Sequence, residues 1–337
     1  MQVIDDLSRV EIERDSVLTI GAFDGIHLGH QHLIGQLVRR ATDTGCLAGL
    51  VTFHPHPSVV LAHRSPAKYL TTPGEKIAIF TTLGLDLVAL LPFDQEMART
   101  PAREFVACIC LHLRMKELWV GADFALGHNR EGDVKALQEM GREMGFSVRA
   151  IEPLLWEGRV ISSTWIRSLV ERGQVEEAAR LLNRYPSLSG EVMRGAQRGR
   201  CLGFPTANLK VREERAIPAD GVYAVYVVLG EKRYRGVANL GVRPTFENGQ
   251  HAIEVHLLDF QGDLYGCDLV VEFVARLRPE RRFEKLEDLK AQIEADISHA
   301  REVLALEKYP STWLLMASSL PQEPFPKVPD ALEMPGI

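Results

Sequence analysis

The sequence predicts an α/β N-terminal domain built on a parallel sheet, followed by a C-terminal antiparallel β-barrel or sandwich closed by one helix. From residue 17 to about 185, short apolar runs alternate with amphipathic segments, the pattern of a parallel sheet covered by helices. From about 186, β-prone segments follow one another across turn-rich stretches with no helical crossover. The 337 residues, 46% of them hydrophobic, are enough for two cores.

The apolar runs of the first region are short and β-prone, as strands buried on both faces should be. They predict strands at residues 17–22, 47–53, 86–92 and 117–121. Helical patterns between and after them predict helices at about 30–42, 73–84, 101–113 and 131–144. The composition changes near "NRYPSLSG", so we expect the first domain to cover residues 1–185.

The second region reads as a domain over residues 186–308. Its strands are "GVYAVYVVLG", "YRGVANLGV", "AIEVHLLDF" and "CDLVVEFVARL", and an amphipathic helix is expected at about 285–306. The remaining residues, 309–337, are rich in proline, which favours an extended or poorly ordered tail.

Composition and charge exclude several classes of protein. The net charge of −6 lacks the basic excess expected of a nucleic-acid-binding protein. The N-terminus is acidic, unlike a signal peptide, and no apolar run is long enough to span a membrane. The five cysteines form no CxxC pair. We therefore expect a reduced, cytoplasmic protein with small-molecule partners, whose oligomeric state the sequence does not indicate.

The stretch "GAFDGIHLGH", residues 21–30, predicts a phosphate site. It begins where the first strand turns into the first helix, and ligands bind at this end of the strands in α/β sheets. His27 and His30 share about one helical face, and Gly29 between them leaves room for a ligand. The helix start offers N–H groups and a positive dipole end to phosphate.

Other interpretations of these histidines stay open from the residues alone. A zinc pair would need a third ligand, which His54 or His56 could supply, although no acidic general base is evident. Ordinary core or surface histidines are the second alternative. A Rossmann dinucleotide loop is excluded because GxGxxG is absent.

The stretch "ISSTWIR", residues 161–167, is a second candidate for phosphate contacts. Ser162, Ser163 and Thr164 can cap the helix that follows and donate hydroxyls to phosphate, while Arg167 offers a guanidinium fork. A simple N-cap followed by a solvated arginine is the alternative.

The flanking residues make a resemblance specific. "G-x-FDG-x-HxGH" after a strand resembles the signature of the HxGH nucleotidyltransferases, and "TFHPHP", "LPFD", "GADFALGHNREGD" and "ISSTWIR" follow in the order seen in bacterial FAD synthetases. The resemblance implies a Rossmann-like nucleotidyltransferase domain. In it the phosphate of FMN attacks the α-phosphorus of ATP directly, with Mg²⁺ bridging phosphate oxygens and pyrophosphate leaving.

The same resemblance implies roles for individual residues. His27, His30 and Arg167 would stabilise the transition state. The implied ATP-binding residues are Gly21, Phe23, Asp24, Gly29, Ser162, Ser163 and Thr164, and the implied flavin-binding residues are His56, Asp123 and Phe124. The family usually has an aromatic residue and often an arginine where this chain has Ala125 and Leu126, so flavin affinity is where this site can differ.

The stretch "GFPTANL" suggests a metal and nucleotide site in the second region. Pro205 fixes its own φ, and Thr206 and Asn208 point to the same side if the segment is extended. Their oxygens suit Mg²⁺ shared with ATP phosphates. By itself "PTAN" could equally be a turn, and the preceding "RGAQRGR" a solvated basic linker.

A kinase that phosphorylates an alcohol also needs a base. Glu254 in "AIEVHLLDF" is the candidate, since alternation places it on one face with His256 and opposite Val255 and Leu257. The alternative is an exposed strand glutamate.

The motifs from about 190 to 284 resemble a riboflavin kinase domain. "GFPTAN", "GVYAV", "GVANLGVRPTF", "EVHLLDF", "GDLYG" and "LRPERRF" occur in the expected order. The resemblance implies that Thr206 and Asn208 hold Mg²⁺ and that Glu254 is the base towards the ribityl 5′-hydroxyl. The implied contacts with ATP and riboflavin are Gly199, Arg200, Gly203, Pro205 and Arg278. The two arginines are expected to lie in loops. Cys201 stands where threonine is more usual in the family.

Together, the two resemblances cover about residues 17–306 and imply membership of the prokaryotic FAD synthetase family. Riboflavin and ATP would give FMN and ADP in the C-terminal domain, and FMN and ATP would give FAD and pyrophosphate in the N-terminal domain. The alternatives are a kinase with weakened adenylyltransferase activity, motivated by Ala125 and Leu126, and a non-catalytic flavin-binding regulator. Adenylylation of coenzyme A or NAD precursors would leave "GFPTAN" and "EVHLLDF" without a role.

Overall fold

The chain folds into a six-stranded parallel sheet covered by helices, followed by a closed six-stranded antiparallel barrel and a long helix. The predicted fold class is confirmed. The computed structural model describes residues 1–61, 68–194, 202–212, 214–242, 251–306, 308–309 and 311.

The strands of the N-terminal domain alternate with its helices. In chain order they are β1 (Gln2–Ile4), β2 (Ser16–Ile20), β3 (Leu47–His54), β4 (Leu87–Pro92), β5 (Met115–Gly121), β6 (Ala125–Leu126), β7 (Gly132–Asp133), β8 (Ser147–Ile151), β9 (Leu155–Trp156) and β10 (Arg159–Val160). The sheet has the order β1-β4-β3-β2-β5-β8, with every pair parallel. β6 pairs with β7, and β9 with β10, as small antiparallel hairpins.

Several helices of this domain begin or end at recognisable capping residues. They are α1 (Leu28–Thr44), α2 (Pro57–Leu61), α3 (Pro73–Thr82), α4 (Gln95–Arg99), α5 (Ala102–Leu113), α6 (Val134–Met144), α7 (Ser163–Glu171) and α8 (Val175–Leu182). Gly45, with φ +69°, ends α1. Thr72 and Glu75 form a capping box at the start of α3. The four predicted helices correspond to α1, α3, α5 and α6.

The C-terminal domain is a barrel, which decides between the predicted barrel and sandwich. Its strands are β11 (Ser187–Met193), β12 (Ala207–Lys210), β13 (Gly221–Leu229), β14 (Lys232–Val242), β15 (His251–Leu257) and β16 (Asp268–Arg278), followed by α9 (Leu286–Val303). The strand order is β11-β12-β15-β14-β13-β16, and β11 closes the barrel by pairing with both β12 and β16. Tyr223 and Phe273 are fully buried in its core.

Helix α8 and the start of the predicted tail both pack against the barrel. Val175 of α8 belongs to the barrel core, although the sequence assigned it to the first domain. The ring of Tyr309 lies 5.2 Å from that of Tyr185. Ser311 donates a hydrogen bond of 2.7 Å to Glu272. These two residues of the predicted tail are therefore packed, and residues 312–337 lie outside the described part of the chain.

Two further expectations concern the membrane and the cysteines. In the part of the chain that the structure describes, no helix is both long and apolar enough to cross a bilayer. The described cysteines, Cys46, Cys108, Cys110 and Cys267, are free thiols.

Candidate active sites

The turn between β2 and α1 is buried and has an unusual backbone. Phe23 and Ile26 have φ values of +47° and +40°, which is rare for residues other than glycine and most unusual for a β-branched one. Gly25 also has a positive φ, of +74°. Asp24, between them, is only 1% exposed. Strained backbone of this kind clusters at functional sites, where the surrounding structure must hold it.

Four side chains, three from distant elements and one from α1, hold this turn by its carbonyl oxygens. They donate as follows: Lys76 to Ala22 (2.6 Å), Ser163 to Asp24 (2.8 Å), Arg184 to Gly25 (2.6 Å) and Gln31 to Ile26 (2.8 Å). Of these four donors, the sequence prediction included only Ser163. The network compensates the cost of the strained backbone with buried hydrogen bonds, two of them from charged groups.

The Asp24 carboxylate is the centre of the site. Its Oδ1 accepts hydrogen bonds from the backbone N–H groups of Leu70 and Thr71, at 3.0 and 3.1 Å. Its Oδ2 accepts from Nη2 of Arg167 at 2.9 Å. The Arg167 Nε is buried and has no hydrogen-bond partner among the described residues. Arg167 is thus fixed by one nitrogen, while its Nε–H is left without a partner in the described chain.

The two histidines stack on each other. Their ring centroids are 3.7 Å apart and their planes 18° apart. His27 caps α1 by accepting, at Nδ1, a long hydrogen bond of 3.4 Å from the His30 N–H. The Nδ1 of His30 is buried without a hydrogen-bond partner in the described chain. A buried nitrogen without a partner is one that a bound ligand could satisfy.

Both histidines are held in the neutral form. Burial, and then the charge of Arg184, lower the pKa of His27 to about 4 against the opposing effect of Asp24. Burial, and then His27, keep the pKa of His30 well below its ordinary value. Burial also lowers the pKa of Lys76 to about 8. The histidines therefore act at neutral pH as hydrogen-bonding groups rather than as cations.

The start of α1 differs from the sequence prediction in two details. His27 precedes the helix as its N-cap, so it does not share a helical face with His30. A Cβ at Gly29 would lie 3.2 Å from the His27 ring, so the space that a side chain would fill at this position borders that ring. His27 also occupies one of the helix N–H groups expected to face phosphate. A ligand contact at Gly29 stays a prediction.

The "ISSTWIR" residues reach the same place from α7. Ser162 is the N-cap of α7 and accepts from the Trp165 N–H at 3.3 Å, as predicted. Thr164 is exposed. Ser163 and Arg167 both bind Asp24, so the structure brings this motif to the strained turn.

The predicted flavin residues are only partly connected to this site. His56 lies near the Asp24 and Arg167 charges, and its pKa is lowered mainly by burial. Asp123 is exposed, and Phe124 packs against the core of the N-terminal domain. In the described chain no hydrogen bond or ring contact joins these two residues to the stacked histidines.

Ala125 and Leu126, where the chain departs from the family pattern, form strand β6. They pair with Asp133 and Gly132 of β7. Leu126 also packs against the N-terminal core. The departure therefore replaces aromatic or basic side chains with small and apolar ones on a short hairpin.

The predicted kinase residues come together on neighbouring strands. Asn208 of β12 lies opposite Glu254 of β15 in the strand register. The Thr206 hydroxyl donates to Glu254 at 3.4 Å. Asn239 of β14 lies opposite Glu254 on its other side, a neighbour that the sequence prediction missed. The alternation in β15 is confirmed, because Val255 is buried while Glu254 is half-buried.

The other predicted kinase residues are more scattered. The Nδ1–H of His256 donates to the carbonyl of Pro205 at 2.8 Å. Gly203 is exposed and has φ +91°. Placing Arg278 in a loop was wrong: it ends β16 and forms an ion pair with Asp296 of α9 at 2.8 Å. Gly199, Arg200 and Cys201 lie outside the described residues.

The described residues contain no group of three or more His, Cys, Asp or Glu side chains that could hold a metal ion. Among these residues, no third ligand joins His27 and His30, so the structure adds no support for a zinc site at the histidines. The Thr206, Asn208 and Glu254 set offers hydroxyl, amide and carboxylate oxygens instead.

Comparison with known proteins assigns both halves of the chain. Residues 9–165 match the family described as FAD synthetase, and residues 182–304 match riboflavin kinase. The bifunctional riboflavin kinase/FMN adenylyltransferase of Escherichia coli strain K12 is 40% identical over 87% of this chain and 94% of its own length. The enzyme of the same name from Bacillus subtilis strain 168 is 36% identical over 86% and 93%.

The solved structures include a relative with the same two-domain architecture. A crystal structure described as a macrolide-efflux protein from Streptococcus pneumoniae has a TM-score of 0.82 and 31% identity, covering 89% of this chain and 98% of that one. Family matches in both domains and the near-complete coverage of the curated relatives lead to one conclusion. The chain belongs to the bifunctional riboflavin kinase/FMN adenylyltransferase family, with the FAD synthetase in its N-terminal domain and the riboflavin kinase in its C-terminal domain.

Proposed function

We propose that the strained turn, residues 21–27, is where FMN is adenylylated, and that Thr206, Asn208 and Glu254 form the centre where riboflavin is phosphorylated. The observation that carries the first assignment is the Asp24–Arg167 pair beside the stacked histidines, with Nε of Arg167 and Nδ1 of His30 left unpaired in the described chain. ATP is the co-substrate of both reactions, and riboflavin, FMN and FAD are the flavins bound.

In the adenylyl transfer, a phosphate oxygen of FMN forms a bond to the α-phosphorus of ATP. The bond from that phosphorus to the bridging oxygen breaks, and pyrophosphate leaves with the electron pair. The protein's part is to position the reactants and stabilise the charge. Because Nδ1 of neutral His27 accepts a hydrogen bond, its proton is on Nε2. That N–H and the Arg167 guanidinium are donors for the departing phosphates.

In the kinase reaction, Glu254 accepts the proton of the ribityl 5′-hydroxyl as its oxygen bonds to the γ-phosphorus of ATP, and ADP leaves. The Thr206 hydroxyl, 3.4 Å from Glu254, orients the carboxylate before the substrates bind. Gly199, Arg200, Gly203 and Pro205 remain predicted contacts for ATP and riboflavin.

The kinase residues also suit Mg²⁺. The Thr206 hydroxyl and the Asn208 amide are hard oxygen donors two positions apart, next to the Glu254 carboxylate, a donor set that suits magnesium. When bound, Mg²⁺ would neutralise charge on the ATP phosphates.

We expect the reactions to take place in the cytoplasm, with no nucleic acid or membrane as partner.

A flavin time course tests the two assignments. The protein is incubated with ATP, Mg²⁺ and either riboflavin or FMN, and flavins are separated by chromatography. Asn208→Ala should abolish FMN formation but leave FMN conversion to FAD. Arg167→Met should strongly reduce the conversion of FMN to FAD but leave the formation of FMN from riboflavin. If the wild type makes FMN but no FAD from either oxidised or reduced FMN, the chain is the kinase with a weakened second activity that Ala125 and Leu126 suggest. Complete inactivity would favour the flavin-binding regulator.

A further inference from the structure

A short segment, residues 69–71, touches the Asp24 carboxylate on one side. The Leu70 and Thr71 N–H groups both donate to it. The Thr71 hydroxyl also donates to Asp24, at 3.2 Å, and accepts from the Gly25 N–H at 3.0 Å. The position of this segment therefore sets the position of Asp24.

The opposite edge of the segment faces the C-terminal domain. Tyr69 and Arg215 form a parallel backbone bridge, and the carbonyl of Tyr69 accepts from the Ala216 N–H at 2.9 Å. The Arg215 Nη2 donates to the carbonyl of Leu70 at 3.0 Å. Leu70 thus has its N–H on the Asp24 carboxylate and its carbonyl on an arginine from the other domain.

Arg215 is itself fixed between the two domains. It is 3% exposed and pairs with Glu75 of α3, which is 4% exposed. Its Nη2 also donates to the carbonyl of Ser187 at 2.8 Å. The Ser189 hydroxyl of β11 donates to Glu75 at 2.9 Å. The guanidinium is fixed because Nη1 pairs with Glu75 while Nη2 binds two carbonyl oxygens, and the directions of these donors are set by the planar group.

We propose that Arg215, a residue of the kinase domain, is a positioning residue for FAD synthesis in the other domain. It holds the Leu70 carbonyl, which keeps the Leu70 and Thr71 N–H groups on Asp24, and Asp24 in turn aligns Arg167. The inference rests on the proposed adenylyltransferase site around Asp24. It makes the kinase domain part of the machinery for the second reaction.

The test measures both activities on each variant, so the kinase reaction serves as an internal reference. Arg215→Met should lower kcat for FAD formation by about 10- to 100-fold, with a much smaller change in KM for ATP, because alignment matters most in the transition state. Arg215→Lys should recover part of the loss through the pair with Glu75. Riboflavin phosphorylation should stay within about two-fold of wild type.

Two further variants separate positioning from stability. Glu75→Gln with Arg215→Met removes both charges of this pair, so it should fold even if Arg215→Met does not, and it should still lose FAD synthesis. Arg233→Met breaks a buried pair with Glu272 elsewhere in the barrel and should keep FAD synthesis. Wild-type kcat in the double variant would overturn the inference, as would an equal loss in Arg233→Met. If Arg167→Met also had no effect, the site itself would be misassigned.

Discussion

The Asp24 carboxylate receives hydrogen bonds from two parts of the chain, and the two have different roles. The N–H groups of Leu70 and Thr71 fix the carboxylate, whereas Arg167 is fixed by it. A guanidinium held in this way is preorganised for a phosphate and needs no rearrangement during the reaction.

Replacing Arg167 by methionine should therefore lower kcat for FAD formation by about 10²- to 10³-fold, the cost of losing one preorganised donor for developing charge. Arg172→Met is the matched control, because Arg172 is an exposed residue just past the same helix. Steady-state kinetics with FMN and ATP measure the effect. A loss of similar size in both variants would mean that α7 had been disturbed rather than the site.

Neutral His27 makes stability depend on pH in a definable direction. Its pKa is about 4 in the folded chain and 6.5 in the unfolded chain, so the unfolded state takes up the proton first as pH falls. The free energy of unfolding contributed by His27 is complete above pH 6.5 and is lost towards pH 4, by up to about 1.4 kcal/mol per pH unit.

His27→Asn should keep the helix cap, since asparagine is a good N-cap, and remove this titration. Urea unfolding between pH 7 and pH 4.5 should then show a shallower decline in the variant than in the wild type. Parallel curves for the two proteins would contradict the neutral assignment of His27.

Some residues of this site could be predicted from the sequence and others could not, and the two groups differ in how they contribute to it. His27, His30, Asp24 and Arg167 lie in short motifs whose chemistry is visible locally. Lys76 and Arg184 were missed because they contact carbonyls of the turn through tertiary packing, and Gln31 because nothing in the sequence distinguishes it from an ordinary helix glutamine. Lys76 lies on an amphipathic helix where a lysine normally reaches solvent, and no local signal shows that it is buried.

Among the secondary-structure elements, the central strands were predictable and the edge strands were not. β2 is buried at every residue, which is why its sequence is a nearly continuous apolar run. β8, "SVRAI", is exposed or half-buried throughout because it lies at the sheet edge, and β1 has only three residues. A strand with one neighbour need not be apolar, so its sequence resembles a loop.

Two glycines, one in the centre of the sheet and one in α1, should respond in opposite ways to replacement by alanine. A Cβ at Gly49 in β3 would lie 2.3 Å from the Leu18 side chain and 2.6 Å from that of Leu87. Gly49→Ala should lower the free energy of unfolding by about 1–3 kcal/mol through overpacking. Gly35, inside α1, has nothing within 4 Å of its Cβ position, so Gly35→Ala should raise it by up to about 1 kcal/mol. Opposite shifts of the thermal midpoint are expected, and equal shifts would contradict the packing argument.

Across the whole molecule, the two halves share an interface that the sequence did not reveal. Arg215 and Glu75 are 140 positions apart, and each lies in a stretch whose composition suits an exposed surface. Motif order located both candidate centres because each is encoded within its own domain. The contact between domains depends on side chains that belong to neither motif set.

The two centres use separate residues, which predicts that they can act on separate molecules. His30→Ala should lose FAD synthesis, and Glu254→Ala should lose FMN synthesis. A mixture of the two variants should convert riboflavin to FAD, because FMN released by one protein is a substrate for the other. Chromatography should show FMN rising first and FAD following. The rate of FAD formation should increase with the concentration of the Glu254→Ala variant, which keeps His30. If each variant is active in its own remaining reaction but the mixture makes no FAD, FMN must pass between the two centres without leaving the chain, and the interface at Arg215 would be the first place to look for its route.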